Sequence, residues 1–258
     1  MNQLQLIKIG GSVITDKRLP YTAKHKTIRN IARKIKLISS PIIISHGSGS
    51  FGHTSARLYG GKHGYVSRWG LAKIARDAME INRIVMDIFI EEKLPAISFR
   101  PLSFMVSKSG KLEKYFFEPI LLALKQNFIP VIYGDVIIDK KWRSTIFSGE
   151  TILNHLCKYL IKENYIIKNI FQLCNIDGVY DKKGKIISHI NNQTWKKVKK
   201  DVSSIDNIDV TGGIIHKVDN AIEIAKIGIN TTIINGNVPH IILPALNGEK
   251  IGTSISYN

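Results

Sequence analysis

Apolar and polar positions along this chain follow two periods in turn. Short runs rich in β-branched residues, apolar on both sides, recur at Leu4–Ile9, Pro41–Ser45, Ala96–Phe99, Ile129–Tyr133, Ile166–Leu173 and Thr231–Ile234. Runs of that length without alternation read as strands buried on both faces. Between them the spacing changes to three and four. Lys24–Leu37 sets Ile28, Ile31, Ile35 and Leu37 among basic residues, and Trp69–Glu92 carries Ile74, Ile81, Val85, Ile88 and Phe89. Both predict amphipathic helices. Further helices are expected over Pro119–Gln126, from Ser148-Gly149-Glu150 to about Lys162, over Thr194–Lys200, and after Gly212-Gly213 to about Ile227. Two hairpins are expected: Leu102–Leu112 around a Ser-Lys-Ser-Gly turn, and Val136–Ile138 with Arg143–Phe147 around Asp139-Lys-Lys. Ile251–Ser256 then closes the sheet.

Strands alternating with helices predict an α/β protein with a largely parallel sheet covered on both faces. In such sheets, ligands bind where strands end and loops lead into helices. Glycine clusters fall at such places: 10–12, 47–52, 148–149 and 212–213. One site built from several loops is the expectation. With no linker or repeat in 258 residues, the chain reads as a single domain.

Gly47-x-Gly49-x-x-Gly52 matches a dinucleotide fingerprint in form, but the acidic residue that would hold the ribose is missing. Twenty residues past Gly52 stands Ala72, and the nearest acid, Asp77, lies inside the long helix. A Walker A motif is absent. What remains is a general physical property: glycines let backbone N–H groups approach an anion, and a helix N-terminus favours one. Lys8 and Lys17 flank the first cluster and Lys217 follows the last, a pattern suited to polyphosphate. His46, His53 and His63 fit no metal-ligand spacing, and no G-x-S-x-G elbow is present, so neither a metal site nor serine hydrolysis is indicated. Of the histidines, His53 stands out because it follows the glycine loop near a helix start.

Composition changes this picture little. Lys+Arg 37 against Asp+Glu 20 gives a net charge of +17, which draws anions in general. The abundance of Ile, Lys and Asn also fits an AT-rich genome. The Lys196–Lys200 run reads as a solvated helix face, and aromatic residues show no stacking pattern for nucleic acid. Cys157 and Cys174 are far apart and read as buried thiols. No signal-peptide pattern and no apolar run of about 20 residues is seen, so no membrane partner and a cytoplasmic location are expected.

Set together, the motifs resemble a known family. Lys8-Ile9-Gly10-Gly11-Ser12, followed by Val-Ile-Thr-Asp-Lys17, is similar to the opening of the amino acid kinase superfamily. The longer form, with Thr15-Asp16-Lys17, resembles the isopentenyl phosphate kinases, as does His46-Gly-Ser-Gly-Ser-Phe-Gly-His53, whose second histidine most of the superfamily lacks. Tyr133-Gly-Asp-Val136, Ser148-Gly-Glu150, Asn175-Ile-Asp-Gly-Val-Tyr-Asp181, Asp209-Val-Thr-Gly-Gly213 with Lys217, and Gly252-Thr253 follow in the family's order, over essentially the whole chain.

The resemblance implies a three-layer αβα sandwich and a homodimer. It implies transfer of phosphate from ATP, with Mg²⁺, to isopentenyl phosphate. An acceptor-binding part with the dimer surface would occupy about residues 1–165, and a nucleotide-binding part about 166–258. Lys8, Ile9, Gly10, Gly11 and Ser12 would cradle ATP phosphates, with Gly49, Asp177, Gly213 and Lys217 also at the nucleotide. Lys17, with Lys8, would stabilise the transferring group. Ser48 and Gly149 would meet the substrate phosphate through their backbone, and His53 through its ring. Met79, Ile81, Val85 and Met86 are offered as lining for the hydrocarbon tail. Glu150, where aspartate is usual, and Asn175 depart from the pattern. A fosfomycin-type or uridylate kinase of the same fold, or a basic protein that binds nucleic acid, stays open as an alternative.

Overall fold

The computed structural model describes residues 3–205 and 213–258. The chain opens with β1 (Gln3–Ile9), the single turn α1 (Gly11–Ile14), α2 (His25–Ile35), β2 (Ile42–His46) and α3 (Gly49–Tyr59). The long helix α4 (Arg68–Glu91) leads to β3 (Ala96–Phe99). Next come α5 (Pro101–Phe104), the hairpin β4 (Met105–Lys108) and β5 (Lys111–Tyr115), α6 (Glu118–Lys125) and β6 (Ile129–Tyr133). A second hairpin, β7 (Asp135–Asp139) and β8 (Arg143–Phe147), runs into α7 (Gly149–Lys162) and β9 (Ile166–Cys174). The last elements are β10 (His189–Ile190), α8 (Asn192–Ile205), α9 (Gly213–Ala225), β11 (Asn230–Asn235), α10 (Pro239–Leu246) and β12 (Thr253–Ile255).

Among the described residues, one eight-stranded sheet has the order β10-β12-β11-β9-β1-β2-β6-β3. Its ladders are parallel except for β11 with β12. The residues of β1 divide between the two faces, as the strand period of two requires. Ile7 and Ile9 join a core with Ile28, Ile31 and Ile35 of α2, Ile81 and Val85 of α4, and Ile242 of α10. Leu4 and Leu6 join a second core with Ile120 and Leu124 of α6 and Leu153, Leu156 and Leu160 of α7. Both faces of β1 are therefore covered, in the three-layer order helix, sheet, helix. Each isoleucine or leucine so buried contributes about 2 kcal/mol by transfer from water.

The helix starts follow local chemistry. Ser67 caps α4, its hydroxyl accepting from Gly70 N–H, and Ser148 caps α7, accepting from Thr151 N–H at 3.0 Å. Several expectations need correction. The hairpin after β3 begins only at Met105, because Pro101 opens α5 instead, its fixed φ suiting a first helical position. The edge strand β10 and helix α10 were not anticipated. Pro239 and Pro244 blur the helical reading of α10, and β10 has only two residues. Ile81 and Val85 are core residues of the first cluster rather than lining of an open pocket, while Met79 is exposed.

The two hairpins form a separate four-stranded sheet, β5-β4-β7-β8, in which β4 meets β7 in parallel at Ser107 and Asp139. Asp139 fastens it. Its carboxylate accepts from Ser107 Oγ (2.8 Å) and from the N–H groups of Ser109 (3.1 Å), Gly110 (2.8 Å), Lys141 (2.9 Å) and Trp142 (2.7 Å). One side chain thus closes the turns of both hairpins. Replacing Asp139 with Ala leaves those donors unpaired in a partly buried place. The variant is expected to lose about 2–4 kcal/mol of stability in urea denaturation. A loss below about 0.5 kcal/mol would show that the hairpins close without it.

Candidate functional site

The carboxyl ends of β1, β2, β6 and β11 each run into a glycine: Gly10, Gly47, Gly134 and Gly236. At β1 and β2 the two turns touch backbone to backbone. A Cβ on Gly11 would lie 2.6 Å from Gly49 N and 2.7 Å from Gly49 Cα. Gly49 itself has φ +50, and a Cβ there would meet Thr15 Oγ1 at 2.1 Å. Gly149 is held as closely from the other side, since its Cβ would fall 2.5 Å from His46 O. The three loops 10–12, 47–49 and 148–149 therefore form one surface, as the glycine spacing led us to expect. Gly212, from the fourth cluster, and Asp209 lie outside the described residues; Gly213 is the buried first residue of α9.

Thr15 pins this arrangement. Its hydroxyl donates to Gly11 O at 2.7 Å and accepts from Ser50 N–H at 2.9 Å, so it joins the end of α1 to the first turn of α3. Gly47 N–H donates to Ile9 O at 3.0 Å and Gly10 N–H to Leu173 O at 2.8 Å, which sets the turns against β1 and β9. The helices α1, α3 and α7 all begin here. First-turn N–H groups have no partner within their own helix, which makes the surface a donor surface for an anion.

The lysines converge on the same place from three elements. Lys8 lies mid-sheet on β1, buried, with Nζ 3.6 Å from Glu150 Oε2. Lys17 is exposed in the loop after α1. Lys217 stands one turn into α9, with Nζ 3.4 Å from Gly213 O. Their convergence shows at Cys174, the last residue of β9. Burial pushes its thiol up, while the charges of Lys8, Lys217 and Lys17 pull it down. At the ends of β9 and β11, Asp177 accepts from Asn235 Nδ2 and from Tyr180 Oη, both at 2.8 Å, and these bonds hold its carboxyl below the usual range. Ser12 O accepts from Lys24 Nζ at 3.0 Å.

The histidines separate. His46 is fully buried at the end of β2, and burial holds its ring below the usual histidine range. Its Nδ1 lies 3.0 Å from Gly47 O and its Nε2 3.2 Å from Asn82 Oδ1, while Asn82 Nδ2 donates to Ser98 Oγ at 2.8 Å. Both of the ring's partners are oxygens that accept, so a neutral ring, with its single N–H, donates to one of them at a time. His53 lies exposed on the second turn of α3, and Ser48 sits just before that helix.

Sequence reasoning did not foresee an ion pair at the ends of β3 and β6, between buried Asp135 and half-buried Arg100. Arg100 Nε lies 3.3 Å from Asp135 Oδ2, and Arg100 also reaches Ala75 O at 3.3 Å. Asp135 belongs to the Tyr-Gly-Asp motif, but nothing local pointed to Arg100, 35 residues earlier. A cavity of about 780 Å³ lies elsewhere, at the amino ends of β1, β9 and β11, away from the glycine turns. Among the described residues, no group of three or more His, Cys, Asp or Glu is placed to hold a metal ion. No helix among them is long and apolar enough to cross a membrane.

Comparison with known proteins bears on the chain as a whole. Residues 3–235 match the sequence model of the amino acid kinase family. The isopentenyl phosphate kinase of Methanocaldococcus jannaschii is 32% identical over 99% of this chain and 99% of its own. A crystal structure of isopentenyl phosphate kinase superposes with a TM-score of 0.83 at 26% identity, covering 98% of this chain and all of the other. The product complex of the Thermoplasma acidophilum isopentenyl phosphate kinase does so with a TM-score of 0.75 at 27% identity, over 98% of this chain and 100% of that one.

The Arg100–Asp135 pair gives a pH dependence with a definite sign. Burial raises the Asp135 carboxyl to about 6, and Arg100 and the Val136 N–H oppose this only in part. In the unfolded chain the group titrates near 3.9. The folded state therefore holds the proton more tightly. Its contribution to stability is present below about pH 4 and is lost as pH rises through about 6. Relative to Asp135→Asn, the wild type should lose about 2 kcal/mol between pH 4 and pH 7 in urea denaturation. A difference that stays flat with pH would show that Arg100 neutralises the carboxylate fully.

Proposed function

The chain belongs to the amino acid kinase family, and on that premise we propose that it transfers the γ-phosphoryl group of ATP to isopentenyl phosphate, yielding isopentenyl diphosphate. The observation that carries this reading is the full-length similarity to isopentenyl phosphate kinases, joined to a glycine turn that ends in His53 on α3.

The chemistry suits such a site. A phosphate monoester is largely dianionic near neutral pH, so the attacking oxygen needs no general base. The new bond forms between that oxygen and the γ-phosphorus as the bond to the β-phosphate bridging oxygen breaks. No proton has to move. What the protein must supply is position and positive charge. Gly11 and Ser12 offer N–H groups at the start of α1 to nucleotide phosphates, Gly10 holding their turn through its bond to Leu173 O, with Gly49 beside them and Gly213 and Lys217 at the start of α9. Ile9 sets the turn through its carbonyl. Asp177, ordered by Asn235 and Tyr180, faces the nucleotide from β9. Lys17 and Lys8 neutralise charge on the group in flight. Ser48 and Gly149 hold the acceptor phosphate through their backbone, and His53 donates to it from α3.

The donors here are ammonium and N–H groups, which suit phosphate oxygens and form no cage for a metal. Mg²⁺ would enter on the nucleotide phosphates and neutralise their charge. For the acceptor's five-carbon tail, Ile74, Ala75 and Val136 form an apolar cluster with Ala56, Tyr59, Leu71, Leu102 and Ile146 between α3, α4 and the second hairpin. About residues 1–165 then serve the acceptor and, through the turns at 10–12 and 49, the nucleotide phosphates, and about 166–258 serve the rest of the nucleotide, within one domain. We further propose a cytoplasmic homodimer: exposed Trp69, Met79 and Ile90 on α4 and the edge strand β3 offer surface for a second copy.

The test is ATP-dependent phosphorylation of isopentenyl phosphate, dimethylallyl phosphate, fosfomycin and UMP side by side. Turnover confined to fosfomycin or UMP would move the chain to another branch of the fold. ATP-independent, salt-sensitive nucleic-acid binding without turnover would remove it from the kinases altogether.

Two variants examine the residue roles. Lys17→Met should lower kcat about 10²–10³-fold, with a smaller change in ATP affinity, as expected when a preorganised charge donor is lost. A near-normal kcat would sink that role. His53→Ala should lose at least about tenfold in turnover of isopentenyl phosphate, about 1.4 kcal/mol, while His53→Gln keeps part of it through its amide donor. Thermal melts separate this from a structural role, in which the melting temperature would fall together with the activity. Unchanged kinetics in a folded His53→Ala enzyme would overturn the assignment.

A further inference from the structure

Three polar side chains stand in a row across the middle of the main sheet, on the face that α7 covers. In the parallel registers, Ser45 of β2 and Gln172 of β9 lie directly beside Lys8 of β1. All three end on the first turn of α7. Ser45 Oγ donates to Gly149 O at 2.7 Å. Lys8 Nζ lies 3.6 Å from one carboxylate oxygen of Glu150, and Gln172 Nε2 donates to the other at 3.2 Å. The row is interior: Ser45 is 0%, Gln172 3%, Lys8 7% and Glu150 8% exposed.

Gln172 carries a further mark. A carboxylate only accepts hydrogen bonds, so the amide nitrogen must be the atom that faces Glu150. The amide oxygen Oε1 then points elsewhere, buried and without a hydrogen-bond partner. Toward the amino ends of the strands this face continues as apolar core with Leu6, Ile43 and Ile170. A methionine of similar length would fill the place with no orphaned oxygen. Packing alone therefore disfavours the amide, and among the described residues its side chain bonds to Glu150.

We propose that Gln172 is a positioning residue for phosphoryl transfer, acting through Glu150 on the Lys8 ammonium and on Gly149. This rests on the kinase reading given above. Glu150 carries its carboxylate on a flexible two-carbon stem, so the carboxylate needs a second anchor to take one orientation. Gln172 supplies it by claiming one oxygen, and the other oxygen is left to Lys8. Released from Gln172, the carboxylate can turn both oxygens to Lys8 and draw the ammonium away from the phosphate. Because Glu150 follows Gly149 directly, the same clasp sets the acceptor-side loop against β9, whose end carries the nucleotide-side residues.

The test uses Gln172→Met, Glu150→Ala and the double variant in the full-length protein, with kcat, the two KM values and the melting temperature read together. Gln172→Met should lower kcat at least tenfold, change the KM for ATP less than threefold, and leave the melting temperature equal or higher, since the orphaned oxygen is gone. In the Glu150→Ala background the same change should lower kcat no further than about twofold, because its route of action is already lost. A merely structural Gln172 gives the opposite pattern: a lower melting temperature, with kcat following the folded fraction. Unchanged kcat in Gln172→Met, or losses that multiply in the double variant, would overturn the proposal while leaving the kinase reading intact. A wild type inert toward all four acceptors removes the reading itself, and the role with it.

Discussion

The approach of the two turns at the ends of β1 and β2 is the constraint on which the rest of the molecule depends. Parallel pairing sets Ile9 beside His46, so the next residues of both strands leave the sheet at the same height. Only glycines allow the chains to come within 2.6–2.9 Å of where a Cβ would lie. Thr15 then locks the two turns with a pair of hydrogen bonds, and Gly149 closes against His46 O from the other face. The surface that results is made of backbone N–H groups at helix starts, fixed before any ligand arrives. Preorganised donors of this kind stabilise charge without reorganising at the moment of reaction.

Placing lysine in such a structure creates a problem that the sheet solves locally. Lys8 is almost fully buried, and an ammonium without a partner there would be strongly disfavoured. Glu150 offsets that penalty, and because it sits in the first turn of α7, the offset also fixes the loop at Gly149. The arrangement joins two elements far apart in sequence, β1 and α7, by one charge pair. It also explains why the net charge of +17 says little about the site. Most lysines are on the surface and shape a diffuse attraction for anions, whereas the charges of three of them, from β1, the loop after α1 and α9, are felt together at the end of β9.

How much of this the sequence displays depends on how local each signal is. Strands covered on both faces leave continuous apolar runs, so β1, β2, β3, β6, β9 and β11 are legible with nearly correct bounds. Glycine clusters mark the turns because close backbone approach admits no other residue. Helix α10 is hidden because Pro239 and Pro244 disguise a segment that is apolar all round. The second sheet is hidden because its key pairing, Ser107 with Asp139, joins two hairpins that each look self-contained. Likewise, the partners of Asp135, His46 and Glu150 are Arg100, Asn82 and Gln172, none of them adjacent in sequence. A polar residue in an apolar strand such as Gln172 is a visible oddity in the sequence, but its meaning is fixed only when β9 is laid beside β1.

The same reasoning bears on why the site uses so few carboxylates. An acceptor that is already a phosphate asks for no proton to be taken, so a base would add only repulsion between like charges. The acids that are present are each tied down. Asp16 is held by Arg18, Asp135 by Arg100, Asp177 by Asn235 and Tyr180, and Glu150 by Lys8 and Gln172. Held in this way, they orient the cations and loops around them while turning little free negative charge toward a phosphate. The fold thus separates two tasks that many sites combine: carboxylates and amides keep the structure in register, and ammonium and N–H groups are left to face the substrate.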